Sequence, residues 1–277
     1  MTTPTPLRPD DAPGSPPAAD EVATDYRDCK RQSRHRGIYL LPNLFTTGAL
    51  FAGFYAIIAA IKGQFEIAAI AVFVAMLLDG LDGRVARLTN TQSAFGAEYD
   101  SLSDMISFGL APALVMYQWS LIHLGDISSF WGKLGWLAAF IYTASAALRL
   151  ARFNTQIGIA DKRYFQGLPS PSAAAVIVGC VWAAETYGIR GQNLSYAMLA
   201  LTTLTGLLMV SRFSYYSFKD LDLKKRVPFI AVLIMVLIFV LLSLETATAL
   251  FAIFLLYTLS GPVLALFRWL RKRRRQA

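Results

Sequence analysis

From about Ile38 onward the chain alternates between long apolar runs and short polar breaks. That pattern predicts membrane-spanning helices rather than an amphipathic soluble fold, because each apolar run approaches the roughly 20 residues needed to cross a bilayer. Eight spans are expected, at about Ile38–Ile61, Phe65–Leu88, Gly96–Leu121, Lys133–Phe153, Pro171–Tyr187, Leu194–Arg212, Val227–Leu244 and Thr246–Phe267. The fifth is short, and the last break is marked only by Ser243, Glu245 and Thr246. The fold class expected is all-α, a polytopic transmembrane bundle occupying residues 37–268.

The ends of the chain read differently. Pro4, Pro6, Pro9, Pro13, Pro16 and Pro17 crowd a start that has few apolar side chains. Residues 1–36 are therefore expected to be a disordered, basic cytoplasmic tail. Residues 269–277 are expected to form a second basic tail, suited to anionic lipid heads.

Composition supports the membrane reading. The chain of 277 residues is 55% hydrophobic and 16% charged, against about 25% charged in ordinary soluble domains. Its net charge of +8 does not point to nucleic acid, because the cations sit in clusters between the apolar runs. With both termini placed in the cytoplasm, only Lys62, Lys133 and Arg190 of the 26 Lys and Arg residues fall outside. That asymmetry is the positive-inside pattern of an even number of spans. Cys29 and Cys180, with His35 and His123, offer no Cys- or His-based metal site.

Four aspartates carry the chemistry. Asp79 and Asp82 are three residues apart near the end of the second run, and Asp100 and Asp104 are four apart at the start of the third. Both spacings return side chains to one helix face, so two facing helices direct four carboxylates at one point. Charges near lipid cost roughly 2.5–3.5 kcal/mol each, and carboxylates select hard cations such as Mg²⁺, Mn²⁺ or Ca²⁺. One or two such ions would remove the mutual repulsion and present positive charge to a phosphate. Gly80, Gly83 and Gly96 leave room for a close ligand, and Arg87 offers a forked donor.

The full pattern is Asp-x-x-Asp-Gly-x-x-Ala-Arg-x8-Gly-x-x-x-Asp-x-x-x-Asp, met by Asp79, Asp82, Gly83, Ala86, Arg87, Gly96, Asp100 and Asp104. It resembles the signature of the CDP-alcohol phosphotransferases, membrane enzymes that move a phosphatidyl or related group from a CDP-linked lipid to an alcohol and release CMP. Three further blocks are similar to the bacterial, membrane-embedded branch that uses serine. These are Tyr39-Leu-Leu-Pro-Asn-Leu-Phe-Thr-Thr47, Arg149-Leu-Ala-Arg-Phe-Asn154 and Phe165-Gln-Gly-Leu-Pro-Ser-Pro171.

The resemblance implies a set of roles. Asp79, Asp82, Asp100 and Asp104 would hold the metal, with Asp104 also the general base. Gly83, Ala86, Arg87 and Gly96 would line the CDP-lipid site. Arg149, Arg152 and Asn154 are acceptor candidates, although arginines at a cytoplasmic helix end are equally expected for topology. The implied reaction transfers phosphatidyl from CDP-diacylglycerol to L-serine, giving phosphatidylserine and CMP, at the inner membrane with the site facing the cytoplasm. The family also suggests a homodimer among membrane lipids. Gly48 and Ala52 could pack helices within one chain or between two. Other readings remain open: glycerol 3-phosphate, inositol phosphate or choline as the acceptor, a cation transporter, or a lipid-binding scaffold without turnover.

Overall fold

The computed structural model describes residues 40–89, 93–155, 164–216 and 243–274, with isolated positions 233, 237 and 240. The expected N-terminal tail and most of the expected Val227–Leu244 span lie outside the described residues.

The first two helices form a hairpin. α1 runs Leu40–Ile61 and α2 runs Phe65–Leu88. Pro42 sits in the first turn of α1, where a missing N–H costs nothing. Gly63, at φ 73°, closes α1. Its amide bonds the Ala60 carbonyl at 3.0 Å, and the amide of Gln64 bonds that of Ala59 at 2.9 Å. This is the paired C-terminal arrangement that favours glycine in the left-handed region. The seam between the two helices is built from small residues, Ala49, Ala52, Ala56 and Ala60 against Ala68, Ala71, Val72 and Ala75, all buried. A Cβ on Gly48 would stand 3.3 Å from Leu78 of α2. The Gly48/Ala52 stripe thus packs helices inside one chain, as small residues do in membranes.

The third apolar run is continuous but irregular. α3, Ala94–Asp104, passes into a π-helical turn at Met105–Leu110 and then into α4, Ala111–Trp119. After Ser120 the chain bends by 49° through a short 3₁₀ turn into α5, Leu124–Ile127. α6 (Ser129–Thr155), α7 (Ser170–Thr186), α8 (Ser195–Val210) and α9 (Thr246–Arg274) complete the described helices. α9 runs on past Phe267, so most of the expected C-terminal tail is helical.

α7 is the centre of the bundle. Ala173 to Val178 are each fully buried, as expected of a helix apolar all round. α9 lies along it, where a Cβ on Gly179 would meet the Phe251 backbone at 3.3 Å. At the end remote from the aspartates, Trp119 Nε1 donates to Glu185 at 2.7 Å and Trp182 Nε1 to Glu66 at 3.3 Å. Those two glutamates therefore tie helices together.

One element has no counterpart in the sequence expectation. Tyr164–Gln166 (β1) pairs antiparallel with Ser214–Tyr216 (β2). The turn expected at Gly167-Leu-Pro-Ser-Pro171 follows directly. Gly167 has φ 79° and its missing Cβ would collide with the Met209 carbonyl, so no other residue fits there without strain.

Among the described residues, four helical segments are long and apolar enough to cross a membrane: Pro42–Ile61, Ser129–Thr155, Gly191–Val210 and Thr246–Phe267. The bent segment Ala94–Trp119 with Leu121–Ile127 makes a fifth. Of the other expected spans, α2 falls short of that measure because it carries Asp79, Asp82, Arg84 and Arg87, α7 because it has only 17 residues, and Val227–Leu244 lies mostly outside the described residues. The chain is an all-helical integral membrane protein with one small ribbon.

Candidate active site

The aspartates converge because α3 is pinned against the α1–α2 hairpin. Ser93 caps α3, accepting from the Gly96 amide at 3.0 Å, which satisfies an orphan donor of the first turn. Gly96 fits closely there, since a Cβ would stand 3.1 Å from the capping Ser93 Oγ, which would have to give slightly. Ser103 then donates to the Thr46 carbonyl of α1 at 3.1 Å. The result is that carboxylate oxygens of Asp79, Asp82 and Asp100 all lie within 4.8 Å of one another. Asp104, one turn beyond Asp100, is in electrostatic reach of Asp79, Asp100 and Arg149.

The donor set fits a divalent cation. Among the described residues the one ion pair within 4.0 Å is His123 with Asp126, so no described Lys or Arg forms an ion pair with the four aspartates. Asp100 Oδ1 is buried with no hydrogen-bond partner. Native proteins rarely leave such an atom unsatisfied, and a carboxylate cluster with a free buried oxygen is the arrangement a hard cation completes. Asp79, Asp82 and Asp100 could hold one ion, with Asp104 close enough to share in the site.

Beside the carboxylates lies a cleft of about 250 Å³. Asp82, Gly83, Ala86, Arg87, Gly96 and Asp100 form one side, and Pro42, Asn43 and Thr46 of α1 form the other. The signature residues of two helices thus line a single space. A Cβ on Gly80 or Gly83 would meet nothing within 4 Å. Neither glycine is required by packing among the described residues, and Gly83 lines the cleft.

Thr46 is the residue sequence reasoning missed. It is buried in α1, and its hydroxyl lies 2.8 Å from Asp82 Oδ2 and 3.1 Å from the Pro42 carbonyl. A polar side chain inside an apolar run was the available signal. The acceptor candidates separate. Arg149 donates from Nη1 to Ser170 Oγ at 2.7 Å and faces Asp104. Arg152 donates to the Val210 carbonyl at 3.2 Å, at the end of α8. Asn154 donates from Nδ2 to Ser101 Oγ at 3.0 Å, next to Asp100. None of the three lines the cleft.

Residues 39–208 match the CDP-alcohol phosphatidyltransferase family. The chain is similar to the CDP-diacylglycerol–serine O-phosphatidyltransferase of Helicobacter pylori, 37% identical over 233 residues that cover 84% of this chain and 92% of that protein. Proteins of the same name are similar in Methanocaldococcus jannaschii, 39% over 144 residues covering 52% and 61% of the two chains, and in Saccharomyces cerevisiae, 30% over 184 residues covering 61% and 63%.

Proposed function

Because the chain belongs to the CDP-alcohol phosphatidyltransferase family, we propose that it transfers the phosphatidyl group of CDP-diacylglycerol to L-serine, releasing CMP and phosphatidylserine. The observation that carries this reading is the convergence of the Asp79, Asp82 and Asp100 carboxylates on the edge of a cleft built from Gly83, Ala86 and Arg87. The relatives that share most of this chain's length carry that activity in their names.

Each side chain has work that its placement suits. Gly83 and Ala86 keep the α2 wall of the cleft low, so a nucleotide can lie against it. Arg87 offers forked hydrogen bonds to phosphate oxygens. The diacyl chains stay in the bilayer, while serine and CMP come and go through water. Asp104 stands inward of the cleft and takes the proton of the serine hydroxyl as that oxygen bonds to phosphorus and the bond to the CMP oxygen breaks. Arg149, fixed by Ser170 and near Asp104, receives the serine carboxylate. Asp79, Asp82 and Asp100 would hold the cation, Mg²⁺ or Mn²⁺. Bound there, the metal supplies charge neutralisation for the pyrophosphate during in-line displacement. The excess of Lys and Arg on one side of the spans supports a cytoplasmic site in a bacterial inner membrane.

The test is CMP release from CDP-diacylglycerol with Mn²⁺ and one alcohol at a time. Serine is expected to drive release, and glycerol 3-phosphate, inositol phosphate and choline are not. Release with glycerol 3-phosphate and none with serine would reassign the acceptor. Silence with every alcohol would remove the enzyme reading.

A further inference from the structure

Asp104 is the last α-helical residue before the winding changes. Between Met105 and Leu110 the chain forms a π-helix, and the Ala111 amide reaches back five residues to the Ile106 carbonyl. Pro112 is the local cause. A proline has no N–H for the carbonyl four residues earlier, here Phe108, and its ring crowds that carbonyl in an α-helical turn. With Pro112 in that place, the Phe108 carbonyl lacks the backbone donor that any other residue would give it in an α-helix. Tyr142, fully buried on α6, provides one: its hydroxyl donates to the Phe108 carbonyl at 3.1 Å.

The turn is gripped from two sides. Ser107 donates to the Ala49 carbonyl of α1 at 3.0 Å, and a Cβ on Gly53 would stand 2.7 Å from the Ser107 Cα. On the α6 side, Gly109 leaves room for Ala146, whose Cβ would be 3.1 Å from an added one. Three successive residues are thus clamped between α1 and α6. Along the α6 seam, Tyr142 meets Phe108, Arg149 faces Asp104, and Asn154 meets Ser101. Asp104 lies between two hydrogen-bonded rungs. Tyr142 and Arg149 are seven residues apart, two turns on one helix face.

We infer that Tyr142 is a positioning residue, which holds the π turn through the Phe108 carbonyl and so sets the rotation of α3, and with it Asp104, relative to Asp79 and Asp82 on α2. One residue of helical winding corresponds to about 100°, so relaxing the π turn to α would turn the Asp104 helix against α4 by that order. Single-turn π segments recur where a helix must re-aim a functional side chain. The inference rests on Asp104 serving as the base.

The experiment is Tyr142→Phe in the full-length enzyme, with serine and CDP-diacylglycerol varied separately. Turnover is expected to fall between about 10- and 100-fold, as misplacement of a reacting group does, while both KM values hold within about 2-fold. A role in stability alone would lower the amount of folded enzyme and leave kcat per folded molecule unchanged, which would overturn the inference, as would a loss expressed mainly in KM. If Tyr142→Phe does not fold, Tyr142→Phe with Pro112→Ala restores a backbone donor to the Phe108 carbonyl. That double variant is expected to fold with kcat still depressed, and wild-type kcat in it would overturn the inference. Asp104→Asn separates the two ideas. Near-normal activity of that variant sinks the base assignment and the positioning role with it, whereas an inactive Asp104→Asn beside a fully active Tyr142→Phe sinks only the latter.

Discussion

The Thr46 hydroxyl stands 2.8 Å from Oδ2 of Asp82, joining α1 to the carboxylate cluster on α2. Asp82 is 5% exposed, so water contributes little to holding it. Thr46 is one of the few protein donors that fix the orientation of a cluster whose members repel one another.

Removing that donor should therefore weaken the site without disrupting the hairpin. Thr46→Val keeps the shape and loses the hydroxyl. Groups that orient a metal-binding side chain are worth about 10–100-fold in metal affinity or activity. The expected outcome is a loss of CMP release of about 10-fold, with Thr46→Ser close to wild type. Equal activity of the valine variant would show that Asp82 is held by other means.

Asp104→Asn tests the base directly. The amide matches the carboxylate in size and cannot accept the hydroxyl proton. Folding and donor binding should persist while turnover falls by at least about 10²-fold. Binding of a labelled CDP-lipid alongside the rate measurement distinguishes lost chemistry from lost substrate.

Chelation is expected to abolish activity, and either Mg²⁺ or Mn²⁺ to restore it. Asp100 provides the sharper measurement, because its Oδ1 has no protein partner and so has most to gain from a cation. Asp100→Asn should require at least about 10-fold more Mn²⁺ for half-maximal rate. An unchanged metal requirement would take Asp100 out of the ligand set.

Local pattern carried much of this structure. α2 spans Phe65–Leu88, the range that the apolar run and its polar limits predict. Spacings of three and four put Asp79 with Asp82 on one helix face and Asp100 with Asp104 on another, while the approach of Asp100 to the first pair needs α3 to be pinned on the hairpin by Ser103 and Thr46. What was not legible depends on pairs distant in sequence. Pro112 alone predicts a disturbed helix, but the π turn also needs Tyr142 to satisfy Phe108 and Gly53 to admit Ser107. The β1–β2 ribbon joins residues some fifty apart and has no periodicity of its own at three residues per strand. Arg149 and Arg152 look alike in sequence, and only their partners tell them apart.

Those partners give the two arginines different expected phenotypes. Arg149 is anchored on Ser170 and faces Asp104. Loss of a charge-assisted hydrogen bond of about 1.5–3 kcal/mol should raise the serine KM of Arg149→Ala by about 10–100-fold, with the CDP-diacylglycerol KM unchanged. Arg152 bonds the Val210 carbonyl and ties α6 to the end of α8. Arg152→Ala should lower thermal stability in detergent and leave the serine KM in place. A serine defect in Arg152→Ala alone would exchange the two assignments.

Two glycines on neighbouring helices make a final contrast between packing and ligand space. A Cβ on Gly53 would lie 2.5 Å from Ser107 Oγ and 2.7 Å from its Cα. The backbone atom cannot rotate away, so α1 must shift from the π turn, and overpacking of this kind costs about 1–3 kcal/mol. A Cβ on Gly83 meets nothing within 4 Å, and replacing a helical glycine by alanine is by itself stabilising by roughly 0.5–1 kcal/mol. Gly53→Ala should therefore lower the melting temperature. Gly83→Ala should keep or raise it while weakening CDP-lipid binding, because the added methyl occupies the wall against which the nucleotide lies. If Gly83→Ala binds the donor as tightly as the wild type, the nucleotide does not use that wall, and the cleft's role would have to be assigned to another part of the substrate.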